Sequence, residues 1–198
     1  MPNKKSFWVL YGQHTKPTFL EHVGNGQLAQ RKNSLRYVKK WRNAIDIGAN
    51  VGEWTRPLAK KFQQVICFEP NPNFRECFNK NITESNVTLW PYGLSDKEHT
   101  AQQDFNSTVL KEGEGDIECR TLDSFNLTDV DYIKIDVDGF EVPVLQGAQE
   151  TIRKNNPVIN IEMKERKRPH IVGECRQILI NLGYNCRSRV RSDEVWTK

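Results

Sequence analysis

The sequence predicts an α/β fold, a doubly wound and mainly parallel sheet within a single domain. Three observations predict it. From residue 43 onward, short apolar runs alternate with longer segments of helical period, the pattern of strand–helix–strand units. The first such unit, AIDIGANVGEWT over residues 44–55, is an apolar run that breaks into a glycine turn and resumes as a helix. The 198 residues suffice for one domain with a full core, and 37% hydrophobic with 27% charged residues is the composition of a soluble globular chain.

Residues 1–43 are read as a helical or irregular segment packed on the core, and 44–198 as the main body. Gly24-Asn25-Gly26 is a turn. After it, Leu28, Leu35, Val38 and Trp41 recur at roughly helical spacing over residues 27–41. Residues 43–47 are the first strand of the repeat, followed by a helix over 53–61 with Pro57 tolerated near its first turn. Residues 64–68 are the second strand and 73–83 the next helix, with Phe74, Cys77 and Phe78 on one face. A third strand spans 87–91. Residues 94–121 lack a helical period, contain Gly113 and Gly115, and read as a loop or an extra hairpin. The fourth strand is 132–137, followed by a helix from Phe140 to about Lys154; the fifth strand is 157–162. A last helix over 171–182 is closed by Gly183. Residues 184–191 and 194–197, joined at Ser192-Asp193, form a final antiparallel pair.

No apolar run approaches the ~20 residues of a membrane span. The opening MPNKKSFWVLYGQ has a short apolar stretch and no small-residue cleavage site, so no signal peptide is read. The five cysteines, Cys67, Cys77, Cys119, Cys175 and Cys186, are dispersed without C-x-x-C spacing, which suggests reduced thiols in a cytoplasmic protein. The N-x-T sequons at Asn81, Asn86, Asn106 and Asn126 are then coincidental. A net charge of +4 permits an anionic substrate but does not indicate nucleic-acid binding.

Ligands of a doubly wound sheet sit beyond the carboxyl ends of the strands, where strand order reverses. Asp46 lies in the first strand, just before Gly48-Ala49-Asn50-Val51-Gly52. The glycines allow a ligand close to the backbone, and the helix start offers free N–H groups. Asp46 either orients this loop, meets a ligand ammonium through water, or satisfies buried loop amides. The spacing is G-x-x-x-G and not the dinucleotide G-x-G-x-x-G, which favours S-adenosylmethionine over NAD. Glu69 ends the second strand about 20 residues after Gly48, the place from which an acid accepts from ribose hydroxyls. Pro70-Asn71-Pro72 stiffens the chain after it. Tyr92-Gly93-Leu94-Ser95-Asp96 is either the wall of an adenine pocket, with Asp96 accepting from the amino group, or an ordinary turn.

Asp136 and Asp138, two apart, face the same way if the strand continues through them. They read as a general base with its neighbour, as a pair holding Mg2+ or Mn2+, or, for Asp138, as a cap of the helix that starts at Phe140. No metal-ligand set is assigned. Glu162 ends the fifth strand and either reaches the same cleft or pairs with Lys164. The basic run over residues 164–170 is either a solvated loop or a means of concentrating an anionic substrate. Arg187, Arg189 and Arg191 alternate as a basic stripe on one strand face.

Taken in order, IDIGANVG, FEPNP, GLSD, TLDSF and DYIKIDVDGFEVPVLQGA resemble the FkbM family of S-adenosylmethionine-dependent methyltransferases over about residues 44–163. The resemblance implies the Rossmann-like class I methyltransferase fold, a seven-stranded, mainly parallel sheet with an antiparallel last strand pair. It implies O-methylation, often of sugar or polyketide-type hydroxyls. It places Asp46, Gly48, Ala49, Asn50 and Gly52 around the methionine part of the cofactor and Glu69 and Pro70 at the ribose. Gly93, Leu94, Ser95 and Asp96 would flank adenine, and Asp136 would sit by the transferred methyl. Where members commonly show IDVEG, this chain has Asp138, one methylene shorter.

The expected reaction is in-line methyl transfer to a hydroxyl of a small-molecule or sugar acceptor, with Asp136 or Asp138, and then Glu162, as base. Two other readings stay open. A metal-dependent nucleotide-sugar glycosyltransferase would use Asp136-Val137-Asp138, but it leaves the glycine turn and Glu69 without a task. A non-catalytic nucleic-acid-binding accessory domain would use the basic C-terminal stretch, but its aromatics do not interleave with the basic residues.

Overall fold

The computed structural model describes residues 7–10, 17–20, 27–103, 110–113 and 115–198; the turn at Gly24-Asn25-Gly26 and the sequon at Asn106 lie outside them. A hairpin of β1 (Phe7–Leu10) and β2 (Pro17–Leu20) precedes α1 (Leu28–Leu35). Strand–helix repeats follow: β3 (Asn43–Ile47), α2 (Thr55–Ala59), β4 (Gln64–Phe68), α3 (Pro72–Asn81) and β5 (Val87–Trp90). Next come four short strands, β6 (Gly93–Leu94), β7 (His99–Gln103), β8 (Leu110–Glu112) and β9 (Ile117–Arg120). A 3-10 turn at Asp123–Phe125 leads to β10 (Val130–Ile135), α4 (Glu141–Gln146), α5 (Gln149–Asn155) and β11 (Val158–Glu162). The chain closes with α6 (Pro169–Asn181), β12 (Asn185–Val190) and β13 (Asp193–Thr197).

Seven strands form the central sheet in the order β12-β13-β11-β10-β3-β4-β5. The five from β11 to β5 run parallel, and β13 is antiparallel to both its neighbours. Strand order reverses between β3 and β10, which opens a crevice at their carboxyl ends. Alternation along each strand sorts the core onto two faces. Ala44, Tyr132 and Val158 pack with Leu58 of α2 and Phe78 of α3. Ile45, Ile133 and Ile159 pack on the other side with Leu145 of α4, Ile152 of α5 and Leu179 of α6. Helix α1 joins the first face through Ser34, whose hydroxyl lies 2.8 Å from that of Tyr132. The β1–β2 hairpin is held at α3 by Asn81, which bonds the Trp8 backbone in both directions and donates to Val51 O.

Several sequence expectations are corrected. The fourth strand ends at Ile135, and Asp138 takes a left-handed φ of +52°, so the period-two argument for Asp136 and Asp138 does not apply. The helix expected over 140–154 is two helices. They part at Gly147-Ala148, where a Cβ on Gly147 would stand 1.9 Å from the carbonyl oxygen of Ser95. The neighbouring backbone occupies the space a longer side chain would need. The stretch over 94–121 is neither a loop nor one hairpin but a second sheet, β6-β9-β7-β8, with 104–109 and 114 outside the described residues. Helix α2 starts late: Pro57 has no N–H for the carbonyl of Glu53, which accepts from Arg31 Nη1 at 3.4 Å. The end of α6 is as read. Gly183 N donates to Ile180 O and Tyr184 N to Leu179 O, the paired bonds of a Schellman stop. All five cysteines are free thiols, four of them buried. Among the described residues no helix is long and apolar enough to cross a membrane.

Candidate active site at the carboxyl edge of the sheet

A cleft of about 360 Å³ opens at the reversal point. Behind β3 it is lined by Gly48, Ala49 and Asn50, and behind β4 by Glu69 and Pro70. Gly93 and Leu94 of β6 form another wall, and Asp136, Asp138 and Glu162 close the β10–β11 end. Asp46, Gly52, Ser95 and Asp96 are not among the lining residues. Asp46 is fully buried beneath the cleft. Gly52 faces α3 and the residue after it, where a Cβ would meet Ile82 at 2.7 Å. Ser95 is buried, and its hydroxyl donates to the exposed Asp96 carboxylate at 3.0 Å.

The glycine loop works differently from the sequence expectation. Gly48 has φ +74°, and a Cβ there would stand 2.0 Å from the carbonyl oxygen of Asp136. Its missing side chain admits the protein's own backbone, locking the ends of β3 and β10 together. Nor are the loop amides free for a ligand. Gly48 N and Ala49 N both donate to Phe68 O at 3.0 Å, and Gly52 N donates to Ala49 O at 2.9 Å. Asn50 N donates to Glu69 Oε2 and Val51 N to Asn50 Oδ1, each at 2.8 Å.

Glu69 is 4% exposed and joins two loops, since its Oε1 accepts from Asn71 N at 2.9 Å while Oε2 accepts from Asn50 N. Each oxygen keeps a further lone pair. Burial pushes its pKa up to about 7, against the opposing pull of the two backbone amides.

The sequence reading gave no role to Lys134. Strand register sets it beside Asp46 on one side and Asn160 on the other. Lys134 is 3% exposed, and its ammonium donates to Gly48 O at 2.8 Å and Ile47 O at 3.4 Å. It lies 3.2 Å from Asp46 Oδ1 and 3.9 Å from Asp136 Oδ2. Burial acts to lower its pKa, but Asp46 and then Asp136 raise it, and the net shift is upward. The second Asp46 oxygen accepts from Thr55 Oγ1 at 2.7 Å. Asp46 thus orients the loop indirectly, through Lys134 and Thr55. A lysine between Ile133 and Ile135 in a run otherwise fit for a central strand was the available signal. Gln27 and Trp54, which also line the cleft and bond to each other through Trp54 Nε1 and Gln27 Oε1, gave no comparable signal.

At the far end, Asp138 is ion-paired with Lys164, and Arg168 Nη1 approaches to 3.9 Å. The N-cap position of α4 is Phe140, whose side chain makes no cap, and Gly139 N donates to Glu141 Oε1 at 3.0 Å. Lys164 also pairs with Glu162 at 2.7 Å. Burial, followed by the charge and hydrogen bond of Asp136, pushes Glu162 up to about 7. Ser192 Oγ donates to Glu162 Oε1 at 3.2 Å. Beneath this pair Asp193 accepts from Asn160 Nδ2 at 2.9 Å, and burial lifts its pKa to about 6. Among the described residues no group of three or more His, Cys, Asp or Glu side chains is placed to hold a metal ion. Lys164 and Arg168 already supply positive charge at the D-x-D pair.

Among solved structures, the chain is similar to methyltransferase FkbM from Methylobacillus flagellatus KT, with a TM-score of 0.59 and 20% identity over 80% of this chain and 44% of that one. It thus spans less than half the length of that protein. It is also similar to precorrin 8w decarboxylase from Methanobacterium thermoautotrophicum, with a TM-score of 0.57 and 16% identity over 100% of this chain and 99% of that one. A third is precorrin-6y C5,15-methyltransferase from Geobacter metallireducens GS-15, at 0.56 and 13% over 84% of each chain. At such identities the likeness is one of fold, the Rossmann-like methyltransferase architecture. Comparison with curated proteins finds no match. The sequence profile of the methyltransferase FkbM domain matches residues 46–186, a span that contains the glycine loop, Glu69 and the Asp136–Glu162 end of the cleft. With most of its length inside that match, the chain belongs to the FkbM methyltransferase family.

Proposed function

We propose that the chain is an S-adenosylmethionine-dependent O-methyltransferase acting on a hydroxyl of a small molecule or carbohydrate. The carrying observation is a cleft at the strand-order reversal with buried Glu69 at one end and the Asp136–Glu162 pair at the other. The residues suit the cofactor. Glu69 has lone pairs left for two vicinal ribose hydroxyls. Tyr92 and Leu94 offer aromatic and apolar surface to a base, and Asn50 and Asp136 offer acceptors to a cationic amino acid end. A cleft of about 360 Å³ is within the ordinary size of a small-molecule site. When bound, S-adenosylmethionine supplies a methyl group activated by positively charged sulfur.

The chain's own residues do the rest. The locked Gly48–Asp136 contact fixes the cleft walls, so that alignment of acceptor oxygen and methyl is set beforehand; such alignment supplies roughly 7–11 kcal/mol. Glu162, held near pKa 7 beside Asp136, suits proton removal from the acceptor hydroxyl near neutral pH, a contribution of about 10²–10⁴-fold. Asp138 is less suited, because two cations, Lys164 and Arg168, hold its charge, whereas Glu162 pairs with Lys164 and is pushed upward by burial and Asp136. Residues 1–43 belong to the same domain in this reading, and the scattered thiols fit a cytoplasmic setting. Calorimetry with S-adenosylhomocysteine tests the assignment. One-site binding is expected; binding of a nucleotide sugar with Mn2+ and not of S-adenosylhomocysteine would overturn it in favour of a glycosyltransferase.

A further inference from the structure

The amino-acid end of S-adenosylmethionine carries a carboxylate as well as an ammonium, and no backbone amide of the glycine loop is left to receive it. Gly48, Ala49, Asn50, Val51 and Gly52 all donate their N–H within the protein. Lysines line the cleft at two places. Lys134 is engaged by Gly48 O, Ile47 O and Asp46, and Lys164 by Asp138 and Glu162. Around them stand the acids Glu53, Glu69, Asp136, Asp138 and Glu162. A carboxylate entering this cleft needs positive charge from outside the loop. The start of α1 brings it, from a segment that precedes the family match over residues 46–186.

Gln27, at the N-cap position of α1, lines the cleft. Trp54 Nε1 donates to Gln27 Oε1, which fixes the amide, and among the described residues the Gln27 side-chain nitrogen has no acceptor. Its two N–H donors are therefore unused. The first helical bond of α1 runs from Arg31 N to Gln27 O at 3.0 Å, so the N–H groups of Leu28, Ala29 and Gln30 form the positive end of the helix dipole. One turn on, Arg31 is 4% exposed, with its guanidinium 5.6 Å from the centroid of the Trp54 ring. Its side-chain hydrogen bond is a long one, from Nη1 to Glu53 O at 3.4 Å. Burial lowers its pKa; Glu53 and Asp46 raise it through space, and neither carboxylate hydrogen-bonds it. A guanidinium stays charged even so, and a buried cation with most of its donors unused is costly until an anion compensates it. Trp54 and Glu53, its neighbours, both line the cleft. We infer that the start of α1 is the seat for the carboxylate of the cofactor's amino-acid end, with the Gln27 amide in contact and Arg31, behind the Trp54 wall, supplying the compensating charge. The inference rests on the methyltransferase reading.

The test is calorimetry on the full chain with S-adenosylhomocysteine and with its decarboxylated analogue, in which the amino-acid end is a plain aminopropyl chain. The parent should bind S-adenosylhomocysteine about tenfold or more tightly than the analogue. Gln27→Glu keeps an acceptor for Trp54 Nε1 and replaces the two donors by a like charge. It should weaken S-adenosylhomocysteine about tenfold or more and leave the analogue bound as tightly as before, or more tightly. Arg31→Met should likewise weaken S-adenosylhomocysteine and spare the analogue, and Arg31→Lys should restore part of the loss. Gln27→Glu, a change at a partly exposed position, decides the matter if Arg31→Met does not fold. Equal losses for the two ligands would mark a merely structural role and overturn the inference. So would a parent that does not distinguish them, or a Gln27→Glu variant that binds S-adenosylhomocysteine as the parent does. These results overturn the seat alone; a parent that binds neither ligand overturns the methyltransferase reading and the seat with it.

Discussion

Replacing Lys134 by methionine removes a buried ammonium while keeping most of the stem's volume. Four contacts go at once: the bond to Gly48 O at 2.8 Å, the weaker one to Ile47 O, and the ion pairs to Asp46 at 3.2 Å and Asp136 at 3.9 Å. Asp46 is fully buried and would be left with Thr55 as its compensating partner. Stranding one member of such a pair costs about 3–5 kcal/mol. In a chain of this length each kcal/mol moves Tm by about 2–4 °C, so a fall of roughly 6–20 °C is expected. The glycine loop also loses its tether, so affinity for S-adenosylhomocysteine should drop with stability. Urea unfolding of Lys134→Met, Asp46→Asn and the double variant measures the coupling. The double variant should cost less than the sum of the singles, by about 0.5–3 kcal/mol. A Lys134→Met cost below about 1 kcal/mol, or strictly additive singles, would refute the account of Lys134 as the buried keystone of the cleft floor.

Gly48→Ala places a methyl 2.0 Å from the carbonyl oxygen of Asp136 at a left-handed φ. The conformation alone costs about 1–3 kcal/mol, and separating β3 from β10 adds to it, so both Tm and S-adenosylhomocysteine binding should fall; an unaltered calorimetric titration would contradict the locked-wall reading. Glu162→Gln should lower turnover by about 10²–10⁴-fold while leaving S-adenosylhomocysteine affinity intact, a split visible by comparing single-turnover rates with calorimetry. Glu69 and Glu162 are raised to about 7 and Asp193 to about 6. Carboxyls raised in the fold contribute stability that is full below their ordinary range and lost as pH climbs through the raised values. Unfolding free energy should therefore decline between about pH 4.5 and pH 7.5, by up to about 3 kcal/mol from Glu69. Glu69→Gln should flatten its share of that decline, which denaturant titrations across the range would reveal.

The order of elements from β3 to β5 and from β10 to β13 was legible because most of those strands are short apolar runs between turn signals, and because α6 ends on a glycine; the β1–β2 hairpin and the β6–β9 sheet were not. Boundaries were less so wherever a tertiary contact overrides local pattern. Val137 extends the apolar run of β10, yet the strand stops at Ile135 because the next peptide turns onto Gly48. Nothing local marks the break at Gly147, which exists for the passing backbone of Ser95. In the site, Glu69, Asp136 and Glu162 were visible as acids at strand ends. The roles of Asp46 and the glycines were not, since they depend on Lys134, which is 88 residues from Asp46 in sequence and adjacent to it by register.

That register also explains how one sheet edge, rich in acids, separates their tasks. Lys134 takes the charge of Asp46, and Arg168 with Lys164, which Asp138 shares with Glu162, takes that of Asp138. Glu69 and Glu162 are left at the two ends of the cleft, each pushed upward by burial, and Asp136 lies partly open between the cations and Glu162. A cleft so arranged becomes more negative as pH rises through 7, which suits a cofactor that carries positive charge on sulfur.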